Sequence, residues 1–334
     1  MNSAKKVQLG LEIYFMSKDN LNILSDDLRN IEREFKQMIE PYRSELWNYC
    51  FKLTRSPWDA EDLVQDTLLK SLSVLAKIFQ PINTRAYLFK IATNLWIDQL
   101  RKHKYLNVPL EDYILDDKAT TNEFLLLEHL DFLVRNLPPT QYVALILSDV
   151  LQFKGSEVAE ILTTSEGAVY TNLSRARSKM RHNLKLELFR KEKRALKNLA
   201  ANTTIDLLLK GFREKNPELI ASVLNENVIT DITHSGLEMG KNETEKNSLR
   251  DWAEIVQNQH IIVSEYVELW GRPVIVELEE KQDNKLYLNN IHYFELFEGK
   301  VSYWKFYCFS WDLMTLAAKE LNVDMNAKYF YHIF

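Results

Sequence analysis

A dense cluster of positive charge in the middle of the chain has the chemistry to bind phosphates. Residues 170–197 hold ten Lys and Arg residues against two acidic ones, Glu187 and Glu192. Guanidinium and ammonium groups neutralise backbone phosphates and release counterions, which raises affinity for nucleic acid without selecting a sequence. The predicted phosphate contacts are the first basic residues of the cluster: Arg175, Arg177, Lys179 and Arg181.

The residues just before this cluster have the pattern of two short helices that cross. The first helix would bury Val158, Ala159, Ile161 and Leu162, and small Ala159 would let the two helices approach closely. A turn follows at residues 163–165, where Thr164 or Ser165 can cap the second helix, which Val169 and Leu173 would anchor. This is the spacing of a helix-turn-helix, whose second helix lies in the DNA major groove.

The second helix would then carry the residues that read base edges. They are Ser165, Glu166, Gly167, Tyr170, Thr171 and Ser174. Because helix-turn-helix spacing is degenerate, an ordinary helical hairpin with a solvated basic face remains an alternative at this point.

The composition is that of a globular protein of two or three domains. The chain has 334 residues, 46% hydrophobic and 27% charged, with only 8 Gly and 8 Pro, which excludes a largely disordered or collagen-like chain. Its two cysteines, Cys50 and Cys308, lie far apart, so neither a disulfide framework nor a cysteine-based zinc site is expected. We expect a cytoplasmic protein without a secretory signal, a membrane span, a cofactor or a metal.

The periodicity divides the chain into three folded parts and a linker. Residues 27–104 and 123–187 read as helices, because apolar residues recur at spacings of three and four. Residues 105–122 interrupt this pattern with three aspartates and a proline, which predicts an acidic linker between two separately packed helical units. From residue 203, short helices lead into alternating β-rich segments. The predicted fold class is therefore two all-α domains, the second with the helix-turn-helix, followed by an α+β domain.

The helical part resembles a known family in two places. Residues 59–67 (DAEDLVQDT) and 86–101 (AYLFKIATNLWIDQLR) resemble region 2 of bacterial RNA polymerase sigma factors of the extracytoplasmic-function group. Residues 137–181, from Leu137-Pro138-Pro139 onward, resemble their region 4. The resemblance covers about residues 30–187, in the family's order, and includes the linker.

The resemblance implies roles for residues of the first domain. Five residues of one helix would dock on the β′ subunit of core polymerase: Asp59, Glu61, Asp62, Gln65 and Asp66. Others would open and hold the promoter minus-ten element, where flipped bases need a pocket and stacking surfaces. They are Lys77, Phe79, Asn83, Arg85, Tyr87 and Asn94, with Arg101, Lys102 and Lys104 along the phosphates. A solvated acidic helix face, and plain core packing of Phe79 and Tyr87, are the alternatives.

The second domain would contact the minus-thirty-five element, with two departures from the family. Thr163 stands where the family often has a turn glycine, and Tyr170 where Lys or Arg is common. Both bear on which sequence is read, and neither bears on the fold.

Residues 203–334 resemble the SnoaL-like, or NTF2-like, cone fold. The resemblance rests on residues 205–208, 216–228 and 292–301 and on Trp304. It implies a sheet curled around helices, and three roles remain open: catalysis, ligand sensing without turnover, and an intramolecular contact that modulates the helical domains. The candidate side chains for such a pocket are Asp231, His234, Asp251 and His292, with Trp252, Trp270, Trp304 and Trp311 as its candidate lining.

Charge favours the intramolecular contact. Residues 205–334 carry 13 basic and 21 acidic residues, a net charge of −8, which leaves 42 − 13 = 29 basic and 47 − 21 = 26 acidic residues, a net of +3, for residues 1–204. An acidic domain beside a basic helix predicts electrostatic masking of the DNA-binding face.

The sequence thus predicts a sigma factor that directs RNA polymerase to specific promoters and is modulated by its own cone domain, with no catalytic residues. Its expected partners are core polymerase, through the β and β′ subunits, and promoter DNA, with a small ligand or an intramolecular contact for the cone domain and no membrane. The alternative is a stand-alone helix-turn-helix regulator with a ligand-sensing or enzymatic cone domain.

Overall fold

The structure, a computed structural model, describes residues 34–35, 37–75, 83–106, 133–183 and 197–326. Almost all of the predicted acidic linker, residues 105–122, lies outside the described residues, and its boundaries stay a prediction. Lys77 and Phe79 also lie outside them.

Among the described residues, the first helical domain contains three long helices. A 3₁₀ turn at Glu40–Tyr42 leads into α1, Arg43–Thr54, and α2 follows at Pro57–Leu75. Pro57 begins α2, where its missing N–H costs nothing, and the Ser56 hydroxyl accepts a hydrogen bond from the Asp59 amide at 3.2 Å. The third helix, α3, spans Thr84–Leu106, and the Asn83 side chain caps it by accepting from the Ala86 amide.

The second helical domain contains the predicted helix-turn-helix. Helix α4, Pro139–Leu145, continues into a π-helical turn at Ile146–Val150, and α5, Gly155–Ile161, and α6, Glu166–Asn183, follow. The predicted interior residues Val158, Ala159 and Ile161 of α5 are buried, as are Val169 and Leu173 of α6. Ala159 is therefore part of the buried side of α5, as predicted.

The C-terminal domain combines a sheet with five helices among the described residues. The helices are α7, Thr203–Arg213; α8, Pro217–Ser222; α9, Lys241–Lys246; α10, Ser248–Gln257; and α11, Trp311–Leu321. The strands are β1, Lys197–Asn198; β2, Leu224–Ile232; β3, Gly236–Met239; β4, Ile261–Leu269; β5, Arg272–Glu280; β6, Leu286–Phe297; β7, Lys300–Phe306; and β8, Asp324–Met325.

These strands form one sheet in the order β1-β4-β5-β6-β7-β2-β3, with β8 beside β6. The pairs β2–β7 and β6–β8 are parallel and the others antiparallel. A tight turn at residues 298–299 joins β6 to β7 as a hairpin, and Gly299 there has a φ of 75°. The α+β class predicted for this part of the chain is confirmed.

The two faces of the sheet have different partners. On one face, Ile275, Val301, Trp304 and Phe306 form a core with α7, α8 and α10. Helices α7 and α8 approach so closely that a Cβ on Gly211 would lie 2.6 Å from the Ile220 side chain. Other apolar residues of the sheet, among them Val267, Val274 and Leu288, belong to a cluster that also contains the cores of both helical domains. The cone domain packs directly against the first helical domain, where Trp58 contacts Trp270 and Tyr307.

The two helical domains also pack against each other. Phe89 of the first lies 4.9 Å, between ring centroids, from Phe153 of the second, and the Arg85 guanidinium lies 3.6 Å from the centre of the Phe153 ring. Tyr142 stacks obliquely on Trp96 and donates a hydrogen bond to the Lys52 carbonyl. The two helical domains thus share an interface in this structure, which the sequence did not predict. Sequence periodicity identifies apolar faces, but it does not tell which other element each face will cover.

Candidate functional site

The turn and helix α6 present their predicted base-reading residues to solvent. Ser165 caps α6, since its hydroxyl accepts from the Ala168 amide at 3.3 Å. The six predicted base-reading residues are exposed, and Tyr170 has 59% of its side chain accessible: Ser165, Glu166, Gly167, Tyr170, Thr171 and Ser174. A helix with one buried stripe and an exposed polar face has the shape that the major groove accepts. The base contacts themselves remain a prediction.

The two departures from the family have local structural consequences. Thr163 adopts a φ of 51°, the left-handed conformation that glycine takes without strain and a β-branched residue does not. The Tyr170 hydroxyl lies so close to Gly155 that a Cβ there would meet it at 2.8 Å. Glycine at position 155 therefore leaves room for the large side chain at position 170.

The phosphate-binding cluster has two kinds of members among the described side chains. Arg175 is exposed on α6. Arg177 instead makes a bidentate ion pair with Asp149, at 3.0 and 2.6 Å, and Lys179 donates to the Asn136 carbonyl. The hydrogen bonds to Asp149 and the charge of its carboxylate raise the pKa of Arg177. Arg181 lies on α6, and its side chain is outside the description.

The predicted minus-ten residues do not all share one environment. Asn83, Asn94, Arg101 and Lys102 are exposed, and Lys104 lies on the last turn of α3 with its side chain outside the description. Tyr87 is half-buried, and burial raises its pKa. These roles stay predictions.

Arg85 of this set is held between the two helical domains. Its Nε donates to Glu45 at 2.8 Å while its guanidinium covers Phe153, an arrangement that combines an ion pair with a cation–π contact. In this arrangement the Arg85 side chain is engaged by protein.

Helix α2 carries its carboxylates on the side that faces the cone domain. We call Asp59, Glu61, Asp62 and Asp66 the acidic face of α2. Glu61 is 1% exposed, although a carboxylate on a surface helix is normally solvated. Its Oε2 accepts from Trp47 Nε1 at 2.8 Å, and its Oε1 pairs with His234 Nε2 of the cone domain. Burial opposes ionisation, but the charge and hydrogen bond of His234, aided by Arg43, hold the pKa of Glu61 below its usual value.

Asp62 binds a lysine of the cone domain. Lys305 Nζ lies 2.9 Å from Asp62 Oδ1 and 3.4 Å from Asp231 Oδ2, and the lysine side chain is 10% exposed. Desolvation works against the Lys305 charge, but the two carboxylates outweigh it and raise its pKa. Asp231 also accepts a hydrogen bond of 2.6 Å from the Tyr303 hydroxyl. One ammonium thus bridges a carboxylate of each domain.

The N-terminal end of α2 makes the third contact. Arg272 approaches Asp59 at 3.5 Å and lies over the ring of Trp58. Trp58 is fully buried, donates from Nε1 to the Leu269 carbonyl at 3.2 Å, and packs against Trp270 and Tyr307. We call Arg272, Lys305 and His234 the cone basic set. Gln65 is half-buried, and Asp66 is exposed, with a pKa raised by partial burial and by Asp62.

The predicted masking placed acidic residues of the cone domain on the basic helix. In the structure, basic residues of the cone domain instead contact the acidic helix α2. Within the described residues, no hydrogen bond or ion pair joins the cone domain to α5 or α6. The acidic cone domain places three basic residues on an acidic helix and leaves the basic helix exposed. Net charge failed as a guide because a few side chains at the interface decide which surfaces meet.

The side chains proposed for a catalytic pocket in the cone domain do not converge. Asp231 and His234 face α2, and Asp251 is an exposed residue that pairs with Arg250 at 3.1 Å. His292 alone is inside, fully buried, with Nε2 3.2 Å from Glu277 Oε2 and Nδ1 accepting from Trp304 Nε1 at 3.2 Å. Trp252 and Trp304 line this interior, and Trp270 contacts Trp58 at the interface instead.

Sequence reasoning missed the polar residues that surround His292. Trp252 Nε1 donates to Glu277 at 2.8 Å, and Asn289 bonds both Gln259, at 2.8 Å, and Asn326, at 2.8 Å. The signal was present in β5, where Glu277 and Glu279 alternate with apolar residues and so share the interior face. These residues form a buried hydrogen-bonded network in which Gln259 Nε2 has no partner among the described residues.

Both helical domains match family models. A model described as sigma-70 region 2 matches residues 38–105, and one described as sigma-70, region 4 matches residues 127–180. The first match contains the acidic face, and the second contains the turn and most of α6. Within the described ranges, no helix combines the length and apolarity needed to cross a membrane.

Curated relatives match the same half of the chain. The chain is 34% identical over 178 residues to the ECF RNA polymerase sigma factor SigG of Mycobacterium tuberculosis, covering 44% of this chain and 48% of SigG. It is 25% identical over 172 residues to SigW of Bacillus subtilis, covering 45% of this chain and 89% of SigW. The matched part therefore spans about half the length of SigG.

A solved structure overlaps more of the chain at a low similarity. The crystal structure of the extracytoplasmic function sigma factor SigJ of Mycobacterium tuberculosis covers 81% of this chain and 95% of its own, with 20% identity and a TM-score of 0.31.

Proposed function

We propose that this chain, which carries the region 2 and region 4 domains of the sigma-70 family, directs RNA polymerase to specific promoters. The observation that carries the proposal is the order of the two domains together with their surfaces. A carboxylate-bearing helix lies in the first, and an exposed recognition helix lies in the second. A stand-alone repressor needs the second domain only.

In this proposal, α6 reads the promoter minus-thirty-five element. Its exposed face from Ser165 to Ser174 enters the major groove, where side-chain donors and acceptors meet base edges. Arg175 neutralises a flanking phosphate and so contributes affinity rather than sequence choice. Asp149 competes with DNA for Arg177, which makes that residue the weaker phosphate contact.

The first domain serves two partners. Helix α3 and the segment before it hold the minus-ten element, with Asn83, Asn94, Arg101 and Lys102 exposed for that purpose. The acidic face of α2, with Gln65, binds core polymerase through its β′ subunit. These surfaces lie on different helices, so one domain can bind protein and DNA together.

Promoter binding requires the domains to rearrange. A factor that contacts two separated DNA elements needs its two DNA-binding domains apart, whereas here Phe153 packs on Phe89 and Arg85. The structure therefore corresponds to a closed form, and the cone domain modulates the factor by stabilising that form.

Association with core polymerase tests the proposal. The purified full-length chain is mixed with core polymerase and the complex is isolated by size-exclusion chromatography. The proposal predicts co-elution and weaker association of an Asp66→Lys variant, with Asp206→Lys in the exposed first turn of α7 as the matched control. Failure of the wild-type chain to associate, combined with promoter binding by the chain alone, would establish the stand-alone regulator instead.

A further inference from the structure

We propose that the acidic face of α2 is a surface with two mutually exclusive occupants, the cone basic set in the isolated protein and a basic surface of core polymerase in the complex. The inference rests on the proposed function and adds to it the regulation of the same site. The cone domain would then compete with polymerase for the acidic face. Its basic side chains would occupy the positions that basic side chains of polymerase take in the complex.

Charge matching supports this competition. Three successive carboxylates of α2 each meet one basic residue of the cone domain: Asp59 meets Arg272, Glu61 meets His234, and Asp62 meets Lys305. The three basic residues come from separate parts of the cone domain, namely the turn after β2, the start of β5 and strand β7. A match this regular, in a domain with a net charge of −8, indicates a surface fitted to the helix.

Burial makes the two occupants exclusive. Glu61 is 1% exposed and Trp58 is fully buried while the cone domain is packed against α2. No second protein reaches these side chains until the cone domain leaves. Binding of polymerase through this helix therefore requires displacement of the cone domain, so the two binding events oppose each other by linkage.

The contact also has the properties of one that can open. Asp62 is 43% exposed and Asp59 48%, so water and salt reach both ion pairs and weaken them. The apolar part of the contact centres on Trp58, which packs against Trp270 and Tyr307 within the cluster that the sheet shares with the helical cores. Two of the three ion pairs are therefore partly solvated, as expected for an intramolecular contact that can open.

The test measures the affinity of the full-length protein for core polymerase at one salt concentration. The variants are Arg272→Glu, which would repel Asp59, and His234→Asn, which is too short to reach Glu61 and tolerates the left-handed conformation of position 234 (φ 67°). The control is Lys300→Glu, which reverses an exposed charge on β7 that contacts the Ser222 carbonyl and not α2. Thermal denaturation of each variant shows whether it is folded.

The proposal predicts that both folded variants bind core polymerase about tenfold more tightly than wild type. The reason is that loss of one interface pair lowers the equilibrium constant for the closed form about tenfold. It predicts no change for Lys300→Glu. Equal affinity of wild type and both variants would overturn it. Absence of binding by every form, the control included, would instead refute the proposed function, so the two failures are distinguishable.

Discussion

The Lys305 ammonium lies 2.9 Å from the Asp62 carboxylate, although the two residues are 243 positions apart in the chain. This ion pair joins the C-terminal domain to the helix that we assign to polymerase binding. Together with the pairs at Asp59 and Glu61, it explains how an acidic domain holds an acidic helix. In our proposal, the cone domain therefore acts through contact with protein rather than with DNA.

The Lys305–Asp62 pair should show measurable coupling. Lys305→Met and Asp62→Asn, made singly and together in the full-length chain, form a double-mutant cycle followed by chemical denaturation. We expect a coupling free energy of about 1 kcal/mol, because one partner is nearly buried and the other is half-exposed. Additive effects of the two substitutions would mean that the two domains do not meet in solution as they do here.

The turn of the helix-turn-helix should be stabilised by a glycine. Thr163→Gly removes the strain of a β-branched residue at a φ of 51°, and the larger entropy of the unfolded glycine chain offsets part of the gain. We expect a net stabilisation of about 0.5–1 kcal/mol in the free energy of unfolding. Thr164→Gly, at a position without a positive φ, is the control and should destabilise; the reverse ranking would contradict the geometry of the turn.

The two arginines of α6 should differ in their contribution to DNA binding. We expect Arg175→Ala to reduce the slope of log K against log salt by about one unit on every sequence tested. Arg177→Ala should change the slope less and the stability more, because Arg177 already pairs with Asp149. Fluorescence anisotropy at several salt concentrations measures both slopes. A larger effect for Arg177 would show that DNA displaces Asp149 from that arginine.

Acid should weaken the contact between the cone domain and α2 by protonating Glu61. Because the pKa of Glu61 is lowered in the folded protein, ionisation of Glu61 stabilises the structure fully above the unfolded-state value, about 4.3. That stabilisation is lost as the pH falls through the lower, folded-state pKa. Melting temperatures measured between pH 6 and pH 3 should therefore fall more steeply for wild type than for Glu61→Gln. If melting temperature falls equally with pH for wild type and Glu61→Gln, ionised Glu61 does not stabilise the interface.

The sequence identified local structure well and contacts between domains poorly. The turn at residues 163–165 and the buried faces of α5 and α6 follow from local spacing, so they were predictable. His234, Lys305 and Arg272 carry no local pattern that marks them as partners of α2. Their role depends on how the sheet places them opposite that helix, and only the three-dimensional structure shows this.

Arg85 illustrates the same limit within the helical part. The resemblance assigned it to promoter DNA, whereas here Glu45 and Phe153 engage it. A sequence resemblance assigns a role to a position. It does not predict which side chains of another domain that position will contact.

Initiation by a reconstituted holoenzyme tests the central claim most directly. Core polymerase is combined with the full-length chain on a library of genomic fragments, and the 5′ ends of the transcripts are sequenced, with core polymerase alone as the reference. We predict a discrete set of start sites that appears only when the chain is present and that shares a sequence element upstream. We expect initiation at these sites to be lost with Arg175→Ala at elevated salt. Transcripts with the same start sites as core polymerase alone would contradict the assignment of this chain as a promoter-specificity subunit.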